Sequence, residues 1–277
     1  TNTADSWLRR YFCEVGTYWI RAFSVDGWRL DVANELDDGF LRAFRTAVKE
    51  AKPDALIVGE VWENAAHYLN GDMLDSAMNY DFRRYCRRFF AEDSVSAEIF
   101  DANISALLFR YRENALFAQL NLLDSHDVSR FFSLCGEDTA RMELSIVLQM
   151  TFPGMPCVFY GDEKGLAGIQ EWEYRQAMAW DKSHPLEDVY RKLIALRKAH
   201  PALRYGSFRT ELAAGKVYRY SRLWDGRKVT VTMNLGSTPL PVPEKGTLLL
   251  KKGEKRAIIQ AWEYEVREEE IHGGNDL

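Results

Sequence analysis

Residues 27–35, GWRLDVANE, and residues 55–61, ALIVGEV, decide how this chain folds. In the first stretch, apolar side chains alternate with an arginine and an aspartate, which is the period of two of a β-strand. The second is a continuous apolar run, typical of a strand covered on both faces in a parallel sheet. A helical pattern at 40–52 lies between them. A strand, a helix and a strand in this order indicate a right-handed parallel unit.

The same alternation continues along the first two thirds of the chain. A helix is predicted over residues 6–23, and short strands are predicted around 76–78, 118–123 and 156–160. Together with the two strands above, this gives five strands of the parallel type. The prediction for this part is an α/β fold.

The pattern changes near residue 203. Beyond this point, runs of alternating apolar and polar residues are separated by turns rich in Gly and Pro, which indicates an antiparallel sheet. We therefore predict two domains, an α/β domain over residues 1–202 and a small antiparallel β-sandwich domain over residues 203–277.

Composition limits the kinds of partner that the chain can have. The 277 residues are 47% hydrophobic and 28% charged, which is typical of a packed globular protein, and the net charge of -5 disfavours nucleic acid or an anionic membrane as a partner. No apolar run approaches the roughly 18 residues of a membrane span, and no signal-peptide pattern begins the chain. We expect a cytoplasmic protein. The four cysteines are far apart, so reduced core thiols are expected rather than metal ligands or disulfides.

Arg29 and Asp31 are the first candidates for chemistry. The strand period places them on one face, which would point into a barrel interior or a cleft. There the arginine would favour the ionised form of the aspartate, as a nucleophilic carboxylate requires. A buried ion pair without a catalytic role fits the same pattern.

Glu60 ends the apolar strand at 55–61, and apolar neighbours favour the protonated carboxyl that a general acid needs. An exposed glutamate at a strand end is the alternative. The polar run at 121–127, NLLDSHD, follows a further strand. Sites in parallel α/β folds are assembled at this edge, so His126 and Asp127 are expected to contact ligand rather than to cap a helix at the surface.

Three ordered segments resemble the signature blocks of the α-amylase superfamily, glycoside hydrolase family 13. They are residues 27–35 (GWRLDVANE), 59–62 (GEVW) and 122–127 (LLDSHD). Within it, the VANE continuation and the block at 59–62 are similar to the neopullulanase, cyclomaltodextrinase and maltogenic amylase group. One segment departs from the family pattern, because residues 169–175 read IQEWEYR where the family usually has an acidic residue followed by proline.

The resemblance implies retaining hydrolysis, or transglycosylation, of α-glucosidic bonds in malto-oligosaccharides, cyclodextrins or pullulan. It implies that Asp31 is the nucleophile, Glu60 the acid and base, and Asp127 the carboxylate that stabilises the transition state. Arg29 and His126 would support the nucleophile and the sugar, and Trp62 would stack near the cleaved bond. Neither a metal nor another cofactor is expected.

The resemblance also implies a (β/α)8 barrel whose nucleophile lies on the fourth strand. Three preceding units need roughly 90 residues, and 26 precede Gly27, so we expect a partial barrel of about strands 4 to 8. Its open edges would be covered by self-association or by an N-terminal half that is missing here. The alternative to an active glycosidase is a catalytically incomplete fragment that serves at most as a glucan-binding or assembly module.

Overall fold

Capping residues fix the first helix of the chain. In the computed structural model, which describes residues 2–254 and 257–271, the carboxylate of Asp5 accepts a hydrogen bond from the Leu8 N–H (2.9 Å) where the helix begins. Ser24, in the left-handed conformation, ends the helix by donating its N–H to the Ile20 carbonyl. The helix runs over Ser6–Phe23, the bounds predicted from the sequence pattern.

The described residues contain ten α-helices, one 3-10 helix (Ala33–Glu35) and one π-helix (Arg87–Ala91). The α-helices are α1 Ser6–Phe23, α2 Asp38–Ala51, α3 Tyr80–Cys86, α4 Ala97–Leu108, α5 Glu113–Ala118, α6 Phe131–Leu134, α7 Thr139–Thr151, α8 Glu171–Tyr174, α9 Leu186–Ala199 and α10 Pro201–Tyr205. The strands in the same part of the chain are β1 Gly27–Leu30, β2 Leu56–Gly59, β3 Ser76–Ala77, β4 Leu120–Leu122, β5 Met155–Cys157, β6 Ser207–Ala214, β7 Val217–Trp224, β8 Arg227–Asn234, β9 Leu240–Pro241, β10 Thr247–Lys251, β11 Ile258–Ile259 and β12 Glu263–Glu270.

The described residues form two compact units. Unit 1 contains the residues up to Asp81 together with Leu108–Asn121, and unit 2 contains Phe82–Leu107 and the residues from Leu122 onward.

Unit 1 is built on a parallel sheet. Strands β1, β2 and β3 pair in that order, with Gly27 opposite Leu56 at the start of the first pair. A β-carbon at Gly27 would lie 2.1 Å from the Leu56 carbonyl oxygen, so this close approach requires glycine. A parallel bridge from Met78 to Leu120 adds the next strand segment. The prediction of parallel strands is thus confirmed for this unit.

Helices α1 and α2 cover one face of this sheet. Phe40, Leu41, Phe44 and Val48 on α2 are buried and join Ile57 in the core of the unit. The indole of Trp28 donates to the Gly16 carbonyl of α1 (3.2 Å), which fastens this helix to β1. The apolar residues of β1 and β2 therefore pack in the core of the unit. The polar residues at the ends of these strands are the ones available to contact a ligand.

Unit 2 contains the predicted antiparallel sheet. Five strands pair in the order β10-β12-β8-β7-β6, and β9 pairs with β11 as a separate two-stranded sheet. Buried Tyr218, Tyr220, Val229, Val231 and Val266 form the apolar side of the large sheet. The alternating runs at 216–223, 228–234 and 261–266 predict strands that correspond to β7, β8 and β12, whereas β6, β9, β10 and β11 were not predicted.

The domain boundary at residue 203 falls inside α10, and the last six residues of the predicted second domain, 272–277, lie outside the described residues. All four cysteines are free thiols, with Cys86 and Cys135 buried. Within 2–254 and 257–271, no helix has the length and apolar character that crossing a bilayer demands.

Candidate active site

One guanidinium connects the two carboxylates that the sequence singled out in unit 1. Arg29, the third residue of β1, forms an ion pair with Asp31 through Nη1 and with Glu60 through Nη2, the latter at 3.1 Å. The parallel register explains the meeting, because Leu30 lies opposite Gly59 and the two strands end together. Asp31 directly follows the end of β1 and Glu60 directly follows the end of β2, so the two residues lie at the same edge of the sheet.

Backbone geometry just after β1 is unusual. Val32 has φ 44° and ψ 48°, which is the left-handed region that a β-branched residue rarely adopts. In this conformation its N–H donates to Glu60 Oε2 at 3.0 Å. The strained turn thus ties the residue after Asp31 to the second carboxylate.

Glu60 is buried, with 3% of its surface exposed. Its carboxylate accepts from three groups: the Val32 N–H, the Arg29 guanidinium and the indole N–H of Trp62 (3.1 Å). The expectation of apolar neighbours was incomplete, because buried carboxylates need hydrogen-bond donors and here the fold supplies them. These contacts fix the carboxylate in one orientation.

Trp62 has two contacts that hold its ring in place. Its indole N–H donates to Glu60, and one ring face stacks on Tyr80 with centroids 4.4 Å apart and planes at 13°. The side chain nevertheless remains 48% exposed. An exposed, oriented indole next to a carboxylate is suited to contact a sugar ring.

Asp127 and His126 lie in unit 2, on the loop after β4. The Asp127 carboxylate lies 2.8 Å from Arg175 Nη2 and 3.0 Å from His126 Nε2. Arg175 also donates through Nε to the His126 carbonyl (2.7 Å) and pairs with Glu171 (3.1 Å). The arginine therefore holds both the backbone and the carboxylate of this loop.

A buried pair of acidic residues includes Asp124, which belongs to the same loop. Asp124 and Asp162 are each 2% exposed, and Asp162 lies 3.2 Å from Nη1 of the fully buried Arg130. The Asp124 carboxylate also accepts from the Phe131 N–H (2.7 Å). Burial, and after it the neighbouring charge and hydrogen bond of Asp124, raises the pKa of Asp162 well above its usual range. Ionisation of one carboxyl group therefore disfavours ionisation of the other.

Two features of the site were not anticipated from the sequence. The Arg29 and Asp31 pair was expected to face a barrel interior or a cleft, and the Asp31 side chain is 76% exposed, because β1 ends at Leu30 and Asp31 already belongs to the turn. Arg175 was not among the predicted site residues. Its position in the segment that departs from the family pattern was the only signal, since its contact with Asp127 spans 48 residues of sequence.

Among the residues that the structure describes, no three His, Cys, Asp or Glu side chains come together in a group that could hold a metal ion.

The comparisons with known proteins agree on one family. The family described as "Alpha amylase, catalytic domain" matches residues 1–188. This chain belongs to the α-amylase family. It is 42% identical over 238 residues to the cyclomaltodextrinase of Thermoanaerobacter pseudethanolicus, which is 85% of this chain and 42% of that protein. It is 39% identical to neopullulanase 2 of Thermoactinomyces vulgaris, over 98% of this chain and 46% of the relative.

A solved structure shows the same fold. The native form of the Nostoc punctiforme debranching enzyme superimposes with a TM-score of 0.90 at 30% identity, covering 96% of this chain and 62% of that one. Another relative, from Bacillus subtilis, is named intracellular maltogenic amylase. The predicted family, with its terminal antiparallel sheet, is thus confirmed, and the chain spans less than half the length of these curated relatives.

Proposed function

We propose that this chain supplies the catalytic carboxylates of a retaining glycosidase that cleaves α-glucosidic bonds. The bridging of Asp31 and Glu60 by Arg29 carries the proposal. Retaining glycosidases place their two carboxyl groups about 5 Å apart, whereas inverting enzymes leave about 6.5–9.5 Å for a water molecule. Two carboxylates held by one guanidinium favour the close arrangement.

In the proposed reaction, an oxygen of Asp31 attacks the anomeric carbon while the bond to the leaving oxygen breaks. Glu60 transfers its proton to that oxygen, so the first sugar product leaves neutral. Glu60 then takes a proton from water, which attacks the anomeric carbon and releases Asp31. A sugar hydroxyl in place of water gives transglycosylation.

The remaining site residues have supporting roles in the proposal. Asp127 would accept hydrogen bonds from sugar hydroxyls and stabilise the positive charge that develops on the ring. His126, which contacts Asp127, would also donate to sugar hydroxyls, and Trp62 would stack on a sugar ring. Arg29 would keep Asp31 ionised and aligned.

We propose that strands β1 to β5 are about strands 4 to 8 of a (β/α)8 barrel, within a catalytic domain of residues 1–202 that precedes a terminal β-sandwich domain. The parallel order β1-β2-β3 supports this arrangement. In the described part of the chain, β1 has a neighbouring strand on one side only, and α1 exposes Trp7, Tyr18 and Phe23. A further barrel segment or a second copy of the chain would cover these surfaces.

Malto-oligosaccharides, cyclodextrins and pullulan are the proposed substrates, and the names of the relatives support them. The name of the Bacillus subtilis relative supports a cytoplasmic location.

The test is an assay of the purified 277-residue chain on cyclodextrin, pullulan and a chromogenic α-maltoside. Wild type is compared with Asp31→Asn, and proton NMR follows the anomer formed first. We expect α-anomeric product from wild type and a loss of at least a thousandfold in kcat in the variant. The matched control is Asp26→Asn, because that side chain is 97% exposed and pairs only with Lys52 among the contacts described here.

Initial release of the β-anomer would refute the retaining mechanism. Turnover that survives Asp31→Asn would refute the assignment of the nucleophile. If wild type has no activity but binds maltoheptaose in calorimetry, the glucan-binding module becomes the better description of the isolated chain. Sedimentation of the same samples reports self-association.

A further inference from the structure

Trp172 is the second most exposed tryptophan of the described residues, with 76% of its surface accessible. It lies on α8, in the segment 169–175 that departs from the family pattern. Tryptophan is strongly buried on average, and a nearly free indole on a well-formed element is therefore an informative exception. Nothing in the proposed reaction uses this ring.

An open cavity of about 410 Å³ lies beside the indole. Its lining, called here the Trp172 pocket, combines one aromatic ring with two carboxylates, a hydroxyl and an amide. The lining residues are Ser133, Glu137, Ala167, Gly168, Ile169, Trp172, Glu173 and Gln176. No basic side chain of the described residues is among them, so the pocket disfavours phosphate and other anions.

The short helix that carries Trp172 is held rigidly. Gln170 and Glu173 form a capping box, in which the Glu173 carboxylate accepts from the backbone N–H groups of Ile169 and Gln170, both at 2.8 Å. These hydrogen bonds lower the pKa of Glu173, which therefore stays ionised. The Gly168 N–H donates to Ser133 Oγ at 2.7 Å and ties the preceding loop to α6.

The same helix leads to the candidate active site. Arg175 directly follows α8 and holds Asp127 at 2.8 Å and the His126 carbonyl at 2.7 Å. Trp172 is three residues away, and Gln176, which lines the pocket, is the next residue after Arg175. The pocket is thus continuous along the chain with the residues proposed to bind sugar in unit 2.

We propose that the Trp172 pocket is an additional binding site for a linear α-glucan, in which the indole stacks on a glucose ring. The inference rests on the proposed function only for the choice of sugar. Neutral, hydroxyl-rich and flat-faced ligands match this lining, because carboxylate and amide oxygens accept from hydroxyl groups while the indole packs on the C–H face. Hydrogen bonds already fix the helix before binding, so binding of the sugar costs little conformational entropy of the protein.

The test measures binding of maltoheptaose and of maltotriose by calorimetry to wild type, Trp172→Ala and Trp172→Phe. For Trp172→Ala we expect about a tenfold weaker affinity for maltoheptaose, equivalent to roughly 1.4 kcal/mol, and a smaller change for maltotriose. Trp172→Phe should recover part of the affinity, since a flat ring remains. Circular dichroism confirms that the variants are folded.

Trp180→Ala is the matched control, because this tryptophan is 78% exposed and does not line the pocket. Cellohexaose tests whether the α-linked shape is recognised. Equal affinity of wild type and Trp172→Ala for maltoheptaose, an equal loss in Trp180→Ala, or no binding by wild type would each overturn the inference. Binding needs no turnover, so a Trp172-dependent affinity in a chain without hydrolysis would support the pocket while the proposed function fails.

Discussion

The buried pair of Asp124 and Asp162 makes the stability of unit 2 depend on pH, and one substitution can isolate the direction of this dependence. Asp162 is hydrogen-bonded to Asp124 and lies 3.2 Å from Nη1 of Arg130, and the charges of Arg130 and Arg83 both act on Asp124. Nη1 of Arg130 also donates to the Tyr160 carbonyl at 2.6 Å, whereas within the described residues its Nε and Nη2 have no hydrogen-bond partner. Asp162→Asn keeps the shape and the hydrogen bonds but removes one titrating group.

The sign follows from the raised pKa of Asp162, which burial and then the charge of Asp124 produce. The folded pair keeps a proton that the unfolded chain releases above a pKa of about 3.9. The contribution of this group to the free energy of unfolding is therefore complete in acid and falls as pH rises, until the folded pKa is passed. The slope is about 1.4 kcal/mol per pH unit for one proton.

Asp162→Asn lacks this loss, so its stability relative to wild type should increase with pH. Inside the window between the unfolded and the folded pKa, each pH unit gives at most about 1.4 kcal/mol, or roughly 3–6 °C in melting temperature for a protein of this size. Asp162→Ala should instead destabilise at every pH by about 1–3 kcal/mol, because it leaves Nη1 of the buried Arg130 without its side-chain acceptor.

The assay is thermal unfolding of wild type and both variants between pH 4 and pH 8, followed by circular dichroism. Asp188→Asn serves as the control, because its side chain is 73% exposed and lies in the same unit. A difference between Asp162→Asn and wild type that is the same at all pH values would refute the raised pKa of Asp162. So would a pH-dependent gain of the same size in Asp188→Asn.

Two further predictions concern stability. Burial raises the pKa of Asp75, but hydrogen bonds from Lys49 and Arg45 (2.8 and 2.7 Å) lower it by more, so the pKa lies below its usual value. Asp75→Asn should therefore cost about 1–3 kcal/mol at pH 7 in urea unfolding, and the loss should vanish as pH falls through that lowered pKa. Phe100→Ala should cost about 3–5 kcal/mol in the same measurement, because its ring is fully buried and stacks on Phe89 at 4.4 Å. A loss below 1 kcal/mol would contradict this prediction, because it would show that neighbouring side chains fill the space of the removed ring.

The sequence pattern predicted the helices and strands whose ends are set by residues close by in the sequence. Helix α1 begins and ends where the sequence indicated, because Asp5 and Ser24 cap it within a few residues. Strands β1 and β2 were predicted from alternation and from an apolar run. Strand β6, SFRTELAA, was missed because polar residues interrupt its apolar ones and its bulge breaks the period of two. Its register comes from β7, which is a tertiary partner.

The site divides in the same way. The identities of Asp31, Glu60 and Asp127 could be predicted from short signature blocks, and each lies just beyond a strand end. Their surroundings could not, because the decisive contacts join distant segments: the Val32 N–H reaches Glu60 across 28 residues, and Arg175 reaches Asp127 across 48. The left-handed turn at Val32 persists because Glu60 accepts its N–H, so the strain after the proposed nucleophile depends on the proposed acid. Removing the Glu60 carboxylate should thus disturb the turn after Asp31 as well as the proton transfer.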